Sequence, residues 1–146
     1  LQDSSAASDV YKRQELFAGI REAVMKLHED GFQMGILSSN SADNVRTFLS
    51  RCELLSCFSF IEAGVSLFGK PQRILNVMKK EKADPNRVIY VGDETRDMEA
   101  ARKSKVSGLA VCWGANEREA METEGPAYCI DEPAELIRVA REFAAS

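Results

Sequence analysis

Three observations predict an α/β protein built on a doubly wound, Rossmann-like parallel sheet. Short apolar runs rich in β-forming residues alternate with stretches whose apolar residues recur every three to four positions. The alternation holds from residue 15 to the end without a low-complexity linker, which implies parallel strands joined by crossover helices on both faces. Several strand-like runs end in small polar or acidic residues, at the edge where open α/β sheets bind ligands. With 146 residues, one domain spanning 15–146 is expected.

The elements follow in order. Residues 1–14, Leu1 to Gln14, are small, polar and without period, and are expected to be a non-native or disordered segment. Leu16, Ile20, Val24 and Leu27 then share a helical face, with Gly31 as a C-terminal stop. Phe32 to Leu37 reads as a strand, and Ser38-Ser39-Asn40-Ser41 as the turn leaving it. A helix capped by Ser41, with Asp43 in its first turn, directs Val45, Phe48 and Leu49 inward. After a strand over Phe58 to Ala63 and glycines at Gly64 and Gly69, Pro71 suits a first helical turn. The inward residues of that helix are Ile74, Leu75 and Met78. Val88 to Val91 is a strand, and Asp97 to Lys103 a short helix capped by Asp93 or Thr95. Gly108 to Trp113 and Ala127 to Ile130 are further strands, with a helix over Glu117 to Glu122 between them. From Pro133 a last helix presents Leu136, Val139, Ala140 and Phe143.

Composition narrows the function. A net charge of −4 and a pI near 5.1 argue against nucleic acid and membrane surfaces as partners. An anionic small molecule remains compatible, since one local cation can neutralise it. Cys52, Cys57, Cys112 and Cys129 form no CxxC pair and His28 is the lone histidine, so zinc is not expected. Cys112 and Cys129, in apolar runs, read as buried, reduced thiols. No signal-peptide pattern or membrane-length apolar run is visible, and a cytoplasmic location is expected.

Three polar clusters close strand-like runs, each about one strand–helix unit from the next. They are Ser38-Ser39-Asn40, then Lys70 between Gly69 and Pro71, then Asp93 with Asp97. Singly, each has a plain role: a serine caps a helix, a lysine is solvated, an acidic pair opens a helix. Together they suit a phosphoryl group. Hydroxyl and backbone N–H groups hold its oxygens, the ammonium offsets its charge, and carboxylates at a strand end suit a hard cation such as Mg²⁺.

The ordered set Gly35-Ile36-Leu37-Ser38-Ser39-Asn40, Gly69-Lys70-Pro71 and Val91-Gly92-Asp93-Glu94-Thr95-Arg96-Asp97, followed by Cys112-Trp113-Gly114 and Asn116, resembles the haloacid dehalogenase (HAD) superfamily. Within it the match is closest to phosphoglycolate-phosphatase-like hydrolases. The resemblance covers nearly all of residues 15–143. It implies a Mg²⁺-dependent phosphatase that works through a phosphoaspartyl intermediate on a small phosphorylated substrate. Ser38, with Ser39 and Asn40 beside it, would bind phosphate, and Lys70 would steady nucleophile and phosphoryl group. Asp93 would bind the metal, and Asp97 would support it directly or through water. Glu94 departs from the small residue often found at its position.

The first motif of that superfamily, an apolar strand ending in Asp-x-Asp-x-Thr, has no counterpart here. Asp3 and Asp9 follow no apolar run, and neither has an acidic partner two residues on. The expectation is a HAD core missing its first central strand and cap, a carboxyl-terminal fragment inactive by itself. The alternative is a non-catalytic phosphate- or protein-binding module of the same fold. A receiver-like signalling domain fits poorly, because such domains place the acidic pair early and the lysine late. Loss of a central strand is expected to weaken the fold and favour association. Phosphoglycolate is the substrate by analogy, with a sugar phosphate or nucleotide close behind.

Overall fold

The computed structural model of the chain describes residues 16–64 and 69–146, so the expectation for residues 1–14 lies outside it. Helix α1 (Ile20–Glu29) buries Ile20, Ala23, Val24 and Leu27, an apolar stripe at helical spacing. Strand β1 (Gly35–Leu37) follows, then α2 (Ala42–Arg51), which starts on Ser41 with its hydroxyl accepting the Asn44 N–H. Next come β2 (Phe60–Glu62), α3 (Lys70–Glu81), β3 (Ile89–Gly92) and α4 (Thr95–Lys103). The chain ends with β4 (Ser107–Val111), α5 (Arg118–Glu122), β5 (Tyr128–Ile130) and α6 (Glu135–Ala145).

All strand pairings among the described residues are parallel, but they fall into two pieces. One holds β1 and β2, with Ile36 opposite Ile61. The other has the order β3-β4-β5, with Val91 opposite Leu109 and Ala110 opposite Cys129. Both pieces share the same two helical layers. Ile36, Ile89 and Val91 pack into a core with α1, α2 and α6. Leu37, Val88 and Tyr90 face the other way, toward Ile74 and Met78 of α3 and Ala100 and Ala101 of α4. Since neighbouring strand residues point to opposite faces, the pieces lie in one layer covered on both sides. This is the expected doubly wound architecture.

The differences from the sequence reading are local. The strands are three to five residues long and, apart from β3, shorter than the apolar runs that mark them. Before β1 the reason is visible: the Phe32 N–H bonds back to the Leu27 carbonyl at 3.1 Å, closing α1 rather than extending the ladder. Leu75 is not inward but 41% exposed, one helical step off the Ile74–Met78 stripe. Helix α4 opens at Thr95 with Glu94 as N-cap, in place of Asp93 or Thr95. Cys112 and Cys129 are free thiols as expected, but only half-buried. Among the described residues no helix is long and apolar enough to cross a membrane.

Candidate active site

The carboxyl end of β3 turns directly into α4, which brings the acidic motif onto a helix start. Asp97, in the first turn, is fully buried and splits its carboxylate between two donors. Its Oδ2 accepts the Glu94 N–H at 3.1 Å, satisfying a donor that a helix start leaves over. Its Oδ1 accepts from Lys70 Nζ at 2.6 Å, and Lys70 itself is only 2% exposed. Lys70 is the first residue of α3, where a cation opposes the helix dipole, and Asp97 is the compensation. Ser104, at the end of α4, donates its hydroxyl to the Pro71 carbonyl at 3.1 Å and fixes the start of α3 beside α4.

Gly92 is required by this packing. A Cβ there would meet Asp97 Cβ at 2.3 Å, so only glycine lets the strand end pass the carboxylate. Gly114 answers the same need for Asp93: an added Cβ would lie 2.3 Å from Asp93 Oδ2. The loop after β4 folds over Asp93 and holds it with backbone amides. Ala115 N–H donates to Asp93 Oδ2 at 3.2 Å, and Asn116 N–H to the Asp93 carbonyl at 3.3 Å. The Asn116 side chain completes the clasp by accepting the Thr95 N–H at 3.1 Å. Trp113, at the head of this loop, stacks on Phe17 with ring centroids 5.5 Å apart.

The electrostatics follow from crowding. Burial pushes the Asp93 carboxyl above its ordinary range, with the nearby Asp97 and Glu94 charges adding to the shift, against the Ala115 N–H. Burial also raises Asp97, with Lys70 opposing. Glu94 is paired with Arg96. The three acidic groups are therefore unlike: two have cationic partners, and Asp93 is clasped by main-chain amides.

At the end of β1 the site is built from neutral groups. The Ser38 N–H continues the ladder to the Glu62 carbonyl at 2.9 Å, and its buried hydroxyl accepts the Asn40 N–H at 3.1 Å. Asn40 Oδ1 accepts from Ser41 N–H at 2.9 Å and from Asn44 Nδ2 at 2.8 Å. Those two donors fix the amide orientation, and they leave the buried Asn40 Nδ2 without a partner in the structure. Ser39 is half-buried beside them. The structure thus makes two clusters from the expected residues: Lys70 directly on Asp97 beside Asp93, and Ser38 with Asn40 in its own turn. Sequence reasoning missed Ser104 and the amide clasp of Ala115. No local pattern marks either, because each acts on a residue more than twenty positions away.

A buried lysine–aspartate pair, an amide-held aspartate at a strand end and a serine turn define a class that a family comparison also finds. The model of the haloacid dehalogenase-like hydrolases matches residues 4–111, and the chain belongs to that family. It is 37% identical over 124 residues to a phosphoglycolate phosphatase of Synechococcus elongatus, covering 85% of this chain and 58% of that protein. A phosphoglycolate phosphatase of Pseudomonas fluorescens is 28% identical over 137 residues, covering 92% of this chain and 50% of its own length. The chain spans about half the length of the curated relatives it matches. Solved structures agree on the fold. A haloacid dehalogenase-like hydrolase from Streptococcus pneumoniae superposes with a TM-score of 0.77 at 21% identity, over 86% of this chain and 60% of that one. A HAD-superfamily hydrolase from Geobacter sulfurreducens gives 0.71 at 20%, over 91% and 60%.

Proposed function

We propose that the chain carries part of the active site of a Mg²⁺-dependent phosphoric-monoester hydrolase acting on a small phosphorylated metabolite. Phosphoglycolate is the first candidate, by analogy with the named relatives. The observation that carries the reading is the buried Lys70–Asp97 pair at the carboxyl end of a parallel sheet whose other piece ends in the Ser38 turn. A lysine without access to bulk water, held by a single carboxylate, is a fixed cation suited to a transferring phosphoryl group.

In this reading a carboxylate attacks phosphorus, and the ester oxygen leaves with a proton from a second, protonated carboxyl group. That group, now a carboxylate, takes a proton from the water that hydrolyses the phosphoaspartyl enzyme. Ser38 keeps the Asn40 N–H on one lone pair while its own hydroxyl proton is given to a phosphoryl oxygen. Lys70, oriented by Asp97, offsets the growing charge. Asp93 fits a hard cation, since its oxygens are the preferred donors and a divalent charge would relieve the penalty of its burial. Bound Mg²⁺ would supply charge neutralisation at the phosphoryl oxygens. Asp97, with its oxygens taken by Lys70 and Glu94, serves the lysine. Among the described residues no group of three or more His, Cys, Asp and Glu side chains could hold the ion by itself.

The nucleophile and the acid/base carboxylate lie outside the described residues in this reading, and the polypeptide by itself is expected to be inactive. Phosphate release from p-nitrophenyl phosphate and phosphoglycolate, with and without Mg²⁺, tests this. Turnover above the Mg²⁺-free control that Asp93→Asn abolishes would overturn the inactivity. In a full-length form, Lys70→Met is expected to lower kcat by about 10²–10³, the usual loss for one preorganised charge donor. Unchanged turnover in that variant would remove the reading.

A further inference from the structure

Two thiols stand together on the far side of the β3–β5 piece. Cys112 follows β4 directly and Cys129 lies in β5, a parallel neighbour in which Cys129 is opposite Ala110. Cys112 is two residues past Ala110, so both cysteine side chains leave the sheet on the same face. There they pack against Met98 of α4 and Met121 of α5, which are themselves fully buried. The Cys112 thiol donates to the Ala110 carbonyl at 3.9 Å, which turns its sulfur back toward the Ala110–Cys129 row. The two thiols also hydrogen-bond each other. Both residues are half-buried, so solvent reaches a pair that is walled by thioethers on its inner side.

We propose that Cys112 and Cys129 form a two-thiolate site for a soft, thiophilic cation of the Cu(I) class, separate from the carboxylates at the end of β3. The donor set selects the ligand. Thiolates and thioethers favour Cu(I), whereas Mg²⁺ takes oxygen donors and structural zinc takes four ligands. Among the described residues no third His, Cys, Asp or Glu joins the pair. The offset along the strands favours a metal over a disulfide. Residues two apart in register on adjacent strands stand about 8 Å apart at Cα, beyond the limit of about 7 Å for a disulfide without backbone movement. A metal with sulfur bonds of about 2.3 Å bridges sulfurs up to about 4.6 Å apart and leaves the ladder in place. Coordination is an exchange without electron transfer: two S–Cu bonds form, two S–H bonds break, and both protons go to solvent. Burial, with Cys129 adding, pushes the Cys112 thiol up to about 11, and burial raises Cys129 as well. The free thiols are thus protonated and poor nucleophiles, and the ion displaces both protons on binding. Arg118 of α5, which donates to the Cys129 carbonyl at 3.4 Å, favours the negative charge of the bound state, with Asp131 and Glu122 opposing it.

The test uses the whole, reduced chain without oxygen, with Cu(I) supplied from its bicinchoninate complex. Competition with that chelator gives stoichiometry and affinity. The expected result is one tight equivalent per chain. Cys112→Ser and Cys129→Ser should each weaken it at least about a hundredfold, the loss of a second ligand held at high local concentration. Cys52→Ser should bind as the parent does. The unaltered chain gives a second readout that does not depend on a variant's folding. One equivalent of Cu(I) should shield Cys112 and Cys129 together from a maleimide and leave Cys52 to react, as peptide masses will show. Unchanged affinity in either pair variant, shielding of one member without the other, or a copper-bridged dimer would overturn the proposal. Displacement of the copper by excess Mg²⁺ would do the same, since it would put the ion on the carboxylates. Neither readout involves turnover, so the outcome is independent of the phosphatase reading.

Discussion

The two pieces of sheet end in different materials. The β1–β2 piece ends in a hydroxyl and an amide arranged by a tight turn, with no charged side chain from the turn itself. The β3–β5 piece ends beside buried charges held by other buried charges and by main-chain amides. A neutral cradle loses little when one member is removed, because water or a neighbouring amide can stand in. A buried ion is different, since removing its partner leaves a charge with no solvation. Sensitivity to substitution should therefore be concentrated in the second piece.

The sharpest way to break this contrast is Asp97→Ala, which strands the Lys70 ammonium. It is expected to cost about 3–5 kcal/mol in urea unfolding, whereas Lys70→Met with Asp97→Leu, which removes both charges, should restore most of the loss. If the single and double variants are equally unstable, the charge account is wrong. Gly92→Ala should come next, at about 1–3 kcal/mol, because the new methyl must displace Asp97. On the neutral side, Ser41→Ala removes the α2 cap and should cost only about 1 kcal/mol by the same measurement. A loss there as large as that of Asp97→Ala would erase the distinction. The smallest expected effect is at the outer tie between the two ends of the chain, where Arg141 of α6 holds Asp30 at the end of α1. Hydrogen bonding to Arg141 keeps the Asp30 carboxyl below its ordinary value of 3.8. Its contribution is present above that value and is lost as pH falls through the lower folded one. Melting curves of Asp30→Asn and the parent should differ slightly at neutral pH and converge in acid.

Much of this was legible in the sequence, and the exceptions share a cause. The order of strands and helices follows from periodicity, and the Gly92-Asp93 strand end from the apolar run that it closes. Lys70 stood out by its place between Gly69 and Pro71 in the ordered set, but nothing local names Asp97 as its partner, 27 positions later. Leu75 was misplaced because a single helical step separates buried from exposed on a narrow stripe. Glu94 gave no cap signal because its place at the helix start is set by Asp97 reaching back to its N–H. The Ala115 clasp was invisible because any residue can lend a backbone N–H. What escaped was consistently a long-range partner rather than an element.

The stack of Trp113 on Phe17 has a practical side. Trp113 is the chain's single tryptophan, and it stands one residue before the glycine that touches Asp93. The molecule thus carries its own fluorophore at the loop that a cation would meet if it binds at Asp93 as proposed. Emission from an unlabelled sample should shift as divalent ions are added, and Asp93→Asn should silence the response, so occupancy can be followed optically before any substrate is known.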